Sequence, residues 1–378
     1  MESPAQYYDS DWPKAHREEM SPWTLSPKPA FFTALVAKAA VFGMLALVAG
    51  CAAEESEGNK SAEGKGDQKS QRRSLPPSNG THNDLTIICP EDLWNEGAGM
   101  AVAEILGAPV AGLPQAEPRF GIIHAVPQKI NTLLRRGKSL LSIEVIPDST
   151  AVLEVRDAYA RPQIAVQIIA PSLEALPSLL AKVLPELGNR FAAHDAQVLR
   201  QKLKERSQSP LPKELAKIGV AEMLLPEGFL VTLSKPGLVV LRMQTKKSQQ
   251  YLIVSKKAAD DSPTPEADVI VDRDALLKSY FEGTAAKSHL ATELLVPPTQ
   301  AFYTAANGQR AIRTAGLFKT VGGFGGGPFV SHRIFDDAAG TVVTADALLF
   351  APSAKKYRLL MELDEIAASL RWGAPSPK

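Results

Sequence analysis

Paired cysteines are missing from this chain. Cys51 and Cys89 are the two cysteines in 378 residues, so there is no internal disulfide framework and no Cys-x-x-Cys element for zinc or thiol exchange. Histidine is sparse: His82, His124, His194, His289 and His332 are the ones beyond the N-terminal region. None sits in a His-x-x-x-His pair, which leaves no sequence-level metal site. Excess charge of one sign is absent, with 42 Lys and Arg against 41 Asp and Glu. The basic pairs Arg72-Arg73 and Lys256-Lys257 are isolated, so the basic stripe expected of a nucleic-acid binder is not there. Single serines such as Ser331 lack the Gly-x-Ser-x-Gly setting of a hydrolase nucleophile.

Long apolar runs are scarce too, and the one near the N-terminus is informative. It extends from Ala30 to Val48, but Lys38 interrupts it. The uninterrupted part is about a dozen residues, short of the roughly 20 needed to span a bilayer and suited to the apolar core of a signal peptide. Small Ala49 and Gly50 follow, and then Cys51. That order suits a bacterial lipoprotein: a signal peptide over 1–50 is cut between Gly50 and Cys51, and the Cys51 thiol takes the lipid. Met20 is an alternative start, since it gives a shorter n-region. Two or more acyl chains hold a protein firmly without a membrane-spanning helix. Residues 1–50 contain four basic and five acidic side chains, so the chain from Cys51 onward carries a net charge of +2.

Residues 51–83 are rich in Glu, Lys, Gly, Ser and Gln. Such a segment cannot bury enough surface to offset chain entropy and reads as a disordered tether. Its acidic start, Glu54-Glu55-Ser56-Glu57, is either solvated linker or a sorting signal for the outer membrane. Beyond it the periodicity predicts two domains, 84–212 and 213–372, with a short tail at 373–378. In the first, strands are expected at 85–89, 120–126, 139–147, 151–156 and 163–170, with helices at 91–106 and 172–206. Pro177 and Pro185 lie within the second helix, so a break or kink is expected near one of them. In the second, β-segments are expected at 220–225, 229–234, 238–244, 250–255, 289–296, 310–320, 328–335 and 341–350. Helices are expected over 272–282 and from Ser353 onward. The fold class is therefore α+β: two α/β sandwich-like domains, mainly antiparallel sheets flanked by helices.

Several motifs carry a family resemblance. They are Gly112-Leu113-Pro114-Gln115-Ala116-Glu117-Pro118, Tyr159-Ala160-Arg161-Pro162-Gln163, Arg313 to Leu317, Gly326-Gly327-Pro328-Phe329-Val330-Ser331, and Phe350-Ala351-Pro352-Ser353 before a terminal helix. In these the chain resembles a Bacteroidetes lipoprotein family, domain of unknown function 4837, over about residues 84–372. Gly325 departs from it, standing where a bulkier residue is expected. The resemblance implies no activity and no catalytic residue. More weakly, the order of elements in the second half is similar to PsbP/Mog1-like sandwiches, which are mostly binding or assembly modules.

Candidate chemistry is thin. Gly322 to Pro328 runs into a strand-like segment without the Lys-Ser/Thr of a phosphate cradle. It reads as a flexible hairpin, or as a contact loop with Phe324 as exposed anchor and Gly325 and Gly326 beside it. Arg161 and Arg313 read as salt-bridge or interface residues, with anion binding as the alternative. Cys89 reads as a core residue, with a Cys89/His124 nucleophilic pair conceivable only if folding joins them. Glu144 and Glu154 could pair as carboxylates or simply be polar strand faces. No cofactor motif is present. The sequence thus points to a lipid-anchored envelope protein that binds or assembles with envelope proteins or glycans. A hydrolase with scattered catalytic residues between the halves is the alternative.

Overall fold

A computed structural model describes residues 75–373 apart from 260–264, 282, 284, 286 and 306–307. The expected signal peptide, Gly50, Cys51, most of the tether and the end of the tail lie outside the described residues. Among the described residues no helix is long and apolar enough to cross a membrane.

The chain opens with β1 (Asp84–Ile88), then a helical segment α1 made of Glu91–Leu93, a π-turn Trp94–Ala98 and Gly99–Ile105. Next come β2 (Gly121–Ala125), α2 (Thr132–Arg135), β3 (Ser139–Val145), β4 (Ala151–Arg156) and β5 (Ile164–Ala170). These strands form a sheet in the order β2-β1-β3-β5-β4. Three of its pairings are parallel, and the β4 edge is antiparallel. The alternation read from Ile164, Val166 and Ile168 places all three in the core, with Leu85, Ile87, Leu141 and Ile143.

Helix α3 (Leu176–Glu205) covers that face with Leu176, Leu180, Leu184, Leu187 and Phe191. The expected proline break is absent from the helix. Pro177 falls in the first turn, where a missing N–H costs nothing, and Pro185 lies inside the continuous helix. The far end of α3 leaves this core, and its Leu199 and Leu203 enter the second one.

The second half holds α4 (Lys213–Lys217), β6 (Val220–Glu222), β7 (Leu230–Lys235), β8 (Leu238–Gln244), β9 (Gln249–Ala258) and α5 (Pro265–Tyr280). They are followed by β10 (His289–Thr292), β11 (Thr299–Thr304), β12 (Arg310–Val321), β13 (Gly326–Asp336), β14 (Thr341–Phe350), α6 (Tyr357–Ala368) and β15 (Arg371–Trp372). Eight strands make an antiparallel sheet ordered β10-β12-β13-β14-β9-β8-β7, with β11 also on β12. The mainly antiparallel α+β fold expected from periodicity is the one observed, and this sheet carries most of that character.

Alternation along β13 sorts the sheet into two faces. Val330 and Ile334 enter the core beneath α6 and the end of α3, whereas Phe329 and Phe335 pack on the opposite face with side chains of α5. The observed elements differ from the expected ones in places: α5 begins at Pro265 and ends at Tyr280 instead of spanning 272–282. β10 stops at Thr292, so Leu294 and Leu295 become exposed loop. β11 is a strand that periodicity did not single out, because its pattern of burial is shallow and includes half-exposed Phe302.

Candidate functional site

One network of buried polar groups lies where the first half, α3, α6 and β12–β13 meet; a second, Arg273 with Asp346 and Thr292, lies under α5 on the other face of the large sheet. Arg313 and His332 are cross-strand partners on β12 and β13, so their side chains leave the same face, under α6. Asp364 comes down from α6. Arg313 Nε lies 3.0 and 3.1 Å from its two carboxylate oxygens, and Nη2 donates to Oδ2 at 2.7 Å. His332 Nε2 meets Asp364 Oδ1 at 2.7 Å, and its Nδ1 meets the Tyr303 hydroxyl at 2.8 Å. With Nε2–H donating to the carboxylate, Nδ1 accepts from the phenol. Burial alone would raise the Asp364 carboxyl. The charge of Arg313 and the His332 hydrogen bond outweigh it and hold Asp364 well below the usual carboxylate range. Burial, then the charge of Asp364, pushes the Tyr303 phenol up.

The order hydroxyl, imidazole, carboxylate has the outline of an activated nucleophile. Its environment does not suit that work. His332 is 3% exposed, and the phenol is made a weaker acid by its surroundings. The string ties β11, β13 and α6 together.

Across the junction Asn83 joins three elements. Its N–H donates to Asp195 Oδ2 at 2.8 Å, its side-chain amide donates to Arg119 O at 3.2 Å, and its Oδ1 accepts from Arg358 Nε at 2.6 Å. Arg358 also pairs with Asp84. Asp195 is fully buried, with Oδ1 unpartnered, and burial pushes it up to about 7. Two histidines move the other way. Burial and then Lys138 bring His82 down to about 4, and burial and then Arg156 do the same for His194.

The sequence candidates occupy separate places. Arg161 is in the β4–β5 loop, its side chain 73% exposed, paired with Asp157 at 2.6 Å, while Arg313 is spent on Asp364. Among the described residues no bond links the two arginines. Phe324 is 94% exposed at the tip of the β12–β13 hairpin. Gly325 there has φ +116°, and a Cβ would lie 2.8 Å from the Phe350 ring, so a bulkier residue requires that ring to shift.

Cys89 and His124 are neighbours, but His124 Nε2 meets the Cys89 carbonyl at 2.9 Å, not the thiol. Its ring stacks on Trp94 at 4.1 Å. Burial, then Asp92, pushes the Cys89 thiol up to about 12, so no thiolate forms near neutral pH. Glu144 and Glu154 cannot pair: their β5 partners, Ile169 and Val166, lie on opposite faces. Glu144 accepts from Ser142 at 2.9 Å, and Glu154 pairs with Arg156 and Arg190. Sequence reading missed Tyr303, Asp364 and Asp195 as members of a network. Asp364 carried a faint signal, a carboxylate flanked by the apolar positions Leu363 and Ile366 of the last helix.

Residues 211–369 match the family model described as domain of unknown function DUF4837. Residues 78–204 match a different one, domain of unknown function DUF8532. The DUF4837 likeness therefore covers the second half and not the whole body. The motifs Gly112–Pro118 and Tyr159–Gln163 fall within the DUF8532 stretch. Among curated proteins none matches. The human StarD13 (DLC2) lipid transfer and protein localization domain aligns at 11% identity over 46% of this chain and 95% of its own, with a TM-score of 0.20. Clostridium butyricum Argonaute bound to guide and target DNA aligns at 9% identity over 80% of this chain and 47% of its own, with a TM-score of 0.14. At those scores neither alignment carries an argument about fold or function.

Proposed function

We propose that this protein is a non-enzymatic binding or assembly module, held by lipid on Cys51 to a bacterial cell envelope, most naturally the outer membrane of a Bacteroidetes cell. On this reading two α+β domains, 84–212 and 213–372, the second of PsbP/Mog1-like type, stand on a tether that starts at Cys51 and is shorter than the expected 51–83, because Pro77 and Asn79 already bridge to Arg161 and Gly137 and Asn83 is buried. Envelope proteins or glycans are the partners in view.

The observation that carries the binding role is the state of the ionisable groups at the junction. Asp364 is occupied by Arg313 and His332, and Glu117 by the Lys356 and Tyr357 amides. A hydrolase needs an acid or base turned toward a substrate-sized space, and these groups are turned toward one another. The anchor rests on the Ala49-Gly50-Cys51 signature.

Two measurements test the reading. Cells expressing the full chain and Cys51→Ala are labelled with a radioactive fatty acid. Label is expected in the parent chain alone, and equal labelling of both refutes the anchor. The purified full chain is then assayed against ester, amide and glycoside substrates. Turnover that disappears in His332→Ala, with folding retained, would replace the binding module with the hydrolase reading.

A further inference from the structure

One edge of the eight-stranded sheet is made by β10 and β11, both paired to β12. Between them the chain leaves the sheet as a loop, Glu293 to Pro298, opposite Gly316 and Leu317. Leu294, Leu295, Val296 and Pro297 stand exposed on it in an unbroken run, Leu294 at 60% and Leu295 at 89%. From Leu294 to Gln309 no residue carries a charge. The display is held at both ends. Glu293 N–H donates to Leu317 O at 2.8 Å, while its Oε1 accepts the Leu295 N–H at 2.9 Å and lies 3.4 Å from Lys319 Nζ. Pro298 packs on β12, since a Cβ on Gly316 would lie 3.1 Å from Pro298 Cβ.

Size decides what such a loop meets. A protein partner needs about 800 Å² of complementary surface on each side, and this protruding loop offers only the few side chains just named. A bilayer imposes no shape, and binding to it scales with the apolar area buried, however small. The uncharged stretch suits a medium in which a charge is costly, and at the base of the loop Glu293 and Lys319 neutralise each other. We propose that the loop 293–298 dips its apolar side chains into a lipid bilayer, as a membrane contact additional to the N-terminal lipid. The inference rests on the membrane-held reading above. Residues 52–74, even fully extended, span about 80 Å, so a body anchored through Cys51 stays within reach of the bilayer.

The test follows the loop itself, so it reads the same whether or not Cys51 carries lipid. Leu295→Cys is made in the full chain with Cys51→Ala and labelled with a nitrobenzoxadiazole dye, buried Cys89 staying unlabelled. The chain is mixed with vesicles of phosphatidylcholine and phosphatidylglycerol. The dye should shift to the blue and brighten roughly twofold or more, as a group about 5–10 Å into the headgroup boundary does, and lipid-borne nitroxides should quench it. The control Leu230→Cys, in the same background, puts the dye on another open leucine, 70% exposed, on edge strand β7 at the opposite side of the sheet. It should not respond. Adding Leu294→Ser and Val296→Ser should abolish the response at 295 while circular dichroism stays unchanged. No response at 295, or an equal response at both positions, overturns the proposal. A response at 295 that needs no vesicles and grows with protein concentration assigns the loop to a second copy and overturns it as well. Failure of the fatty-acid labelling test would remove the Cys51 lipid and leave this readout standing.

Discussion

Glu117 caps a helix that begins 240 residues later: its Oε2 accepts the backbone N–H of Tyr357 at 3.0 Å, while Oε1 accepts that of Lys356 at 2.7 Å. The first amides of a helix have no partner within it. Lys356 at the N-cap position provides no side-chain acceptor, so the carboxylate comes from the loop after α1. Its negative charge also complements the helix N-terminus. Glu117→Ala should cost about 1–2 kcal/mol, the size of a lost N-cap. Glu117→Gln, which keeps one acceptor oxygen, should cost less. Urea unfolding of the two variants checks both magnitude and order, and equal losses would argue against the cap.

Asp364 offers a larger effect. Asp364→Ala leaves the Arg313 guanidinium, 19% exposed, without its counter-charge, and removing one partner of a buried pair costs about 3–5 kcal/mol. Replacing both by apolar residues, Arg313→Met with Asp364→Leu, should recover much of that loss, because no unpaired charge remains. Denaturant midpoints of the single and double variants decide the matter. A double variant less stable than the single one contradicts it.

The buried titratable groups make two opposing contributions to the pH dependence of stability over the same range. His82 and His194 have folded values near 4, below the unfolded value. Their contribution is present above about 6.5 and is lost as pH falls toward 4. Asp195 is raised to about 7, so its contribution is present below about 3.9 and is lost as pH rises through 7. Asp195→Asn should therefore stabilise the protein at pH 8 relative to its effect at pH 4. The ceiling is about 4 kcal/mol, because each tenfold difference in proton affinity between folded and unfolded chains is worth roughly 1.4 kcal/mol. Thermal unfolding across pH 4–8 reports the slope, and an unchanged slope between pH 4 and 7 in the variant would remove Asp195 as a contributor.

The β12–β13 hairpin separates surface from support. Phe324 is 94% exposed, so Phe324→Ser should leave stability within about 0.5 kcal/mol. Gly327 lies further in, on β13, where a Cβ would fall 2.0 Å from the Leu349 carbonyl oxygen. Gly327→Ala should cost about 1–3 kcal/mol, as overpacking does. Melting temperatures of the two variants make the comparison directly.

The sequence by itself determined the parts of this protein that repeat at short range. Alternation at Ile164, Val166 and Ile168, the leucines of α3, and Cys89 as a core residue follow from where apolar side chains recur, because burial of one face imposes a local period. The glycines before Pro328 could likewise be read as a strand turn. Polar partnerships have no such period. Glu117 with Tyr357, Tyr303 with His332 and His332 with Asp364 join residues far apart in the chain, and each depends on strand register and on where α6 lands. The same dependence moved the start of α6 from Ser353 to Tyr357, since its cap comes from another part of the fold. Tertiary structure alone decided that Arg313 is spent inside the junction while Arg161 stays at the surface, because identical side chains differ here only in what long-range packing brings to them.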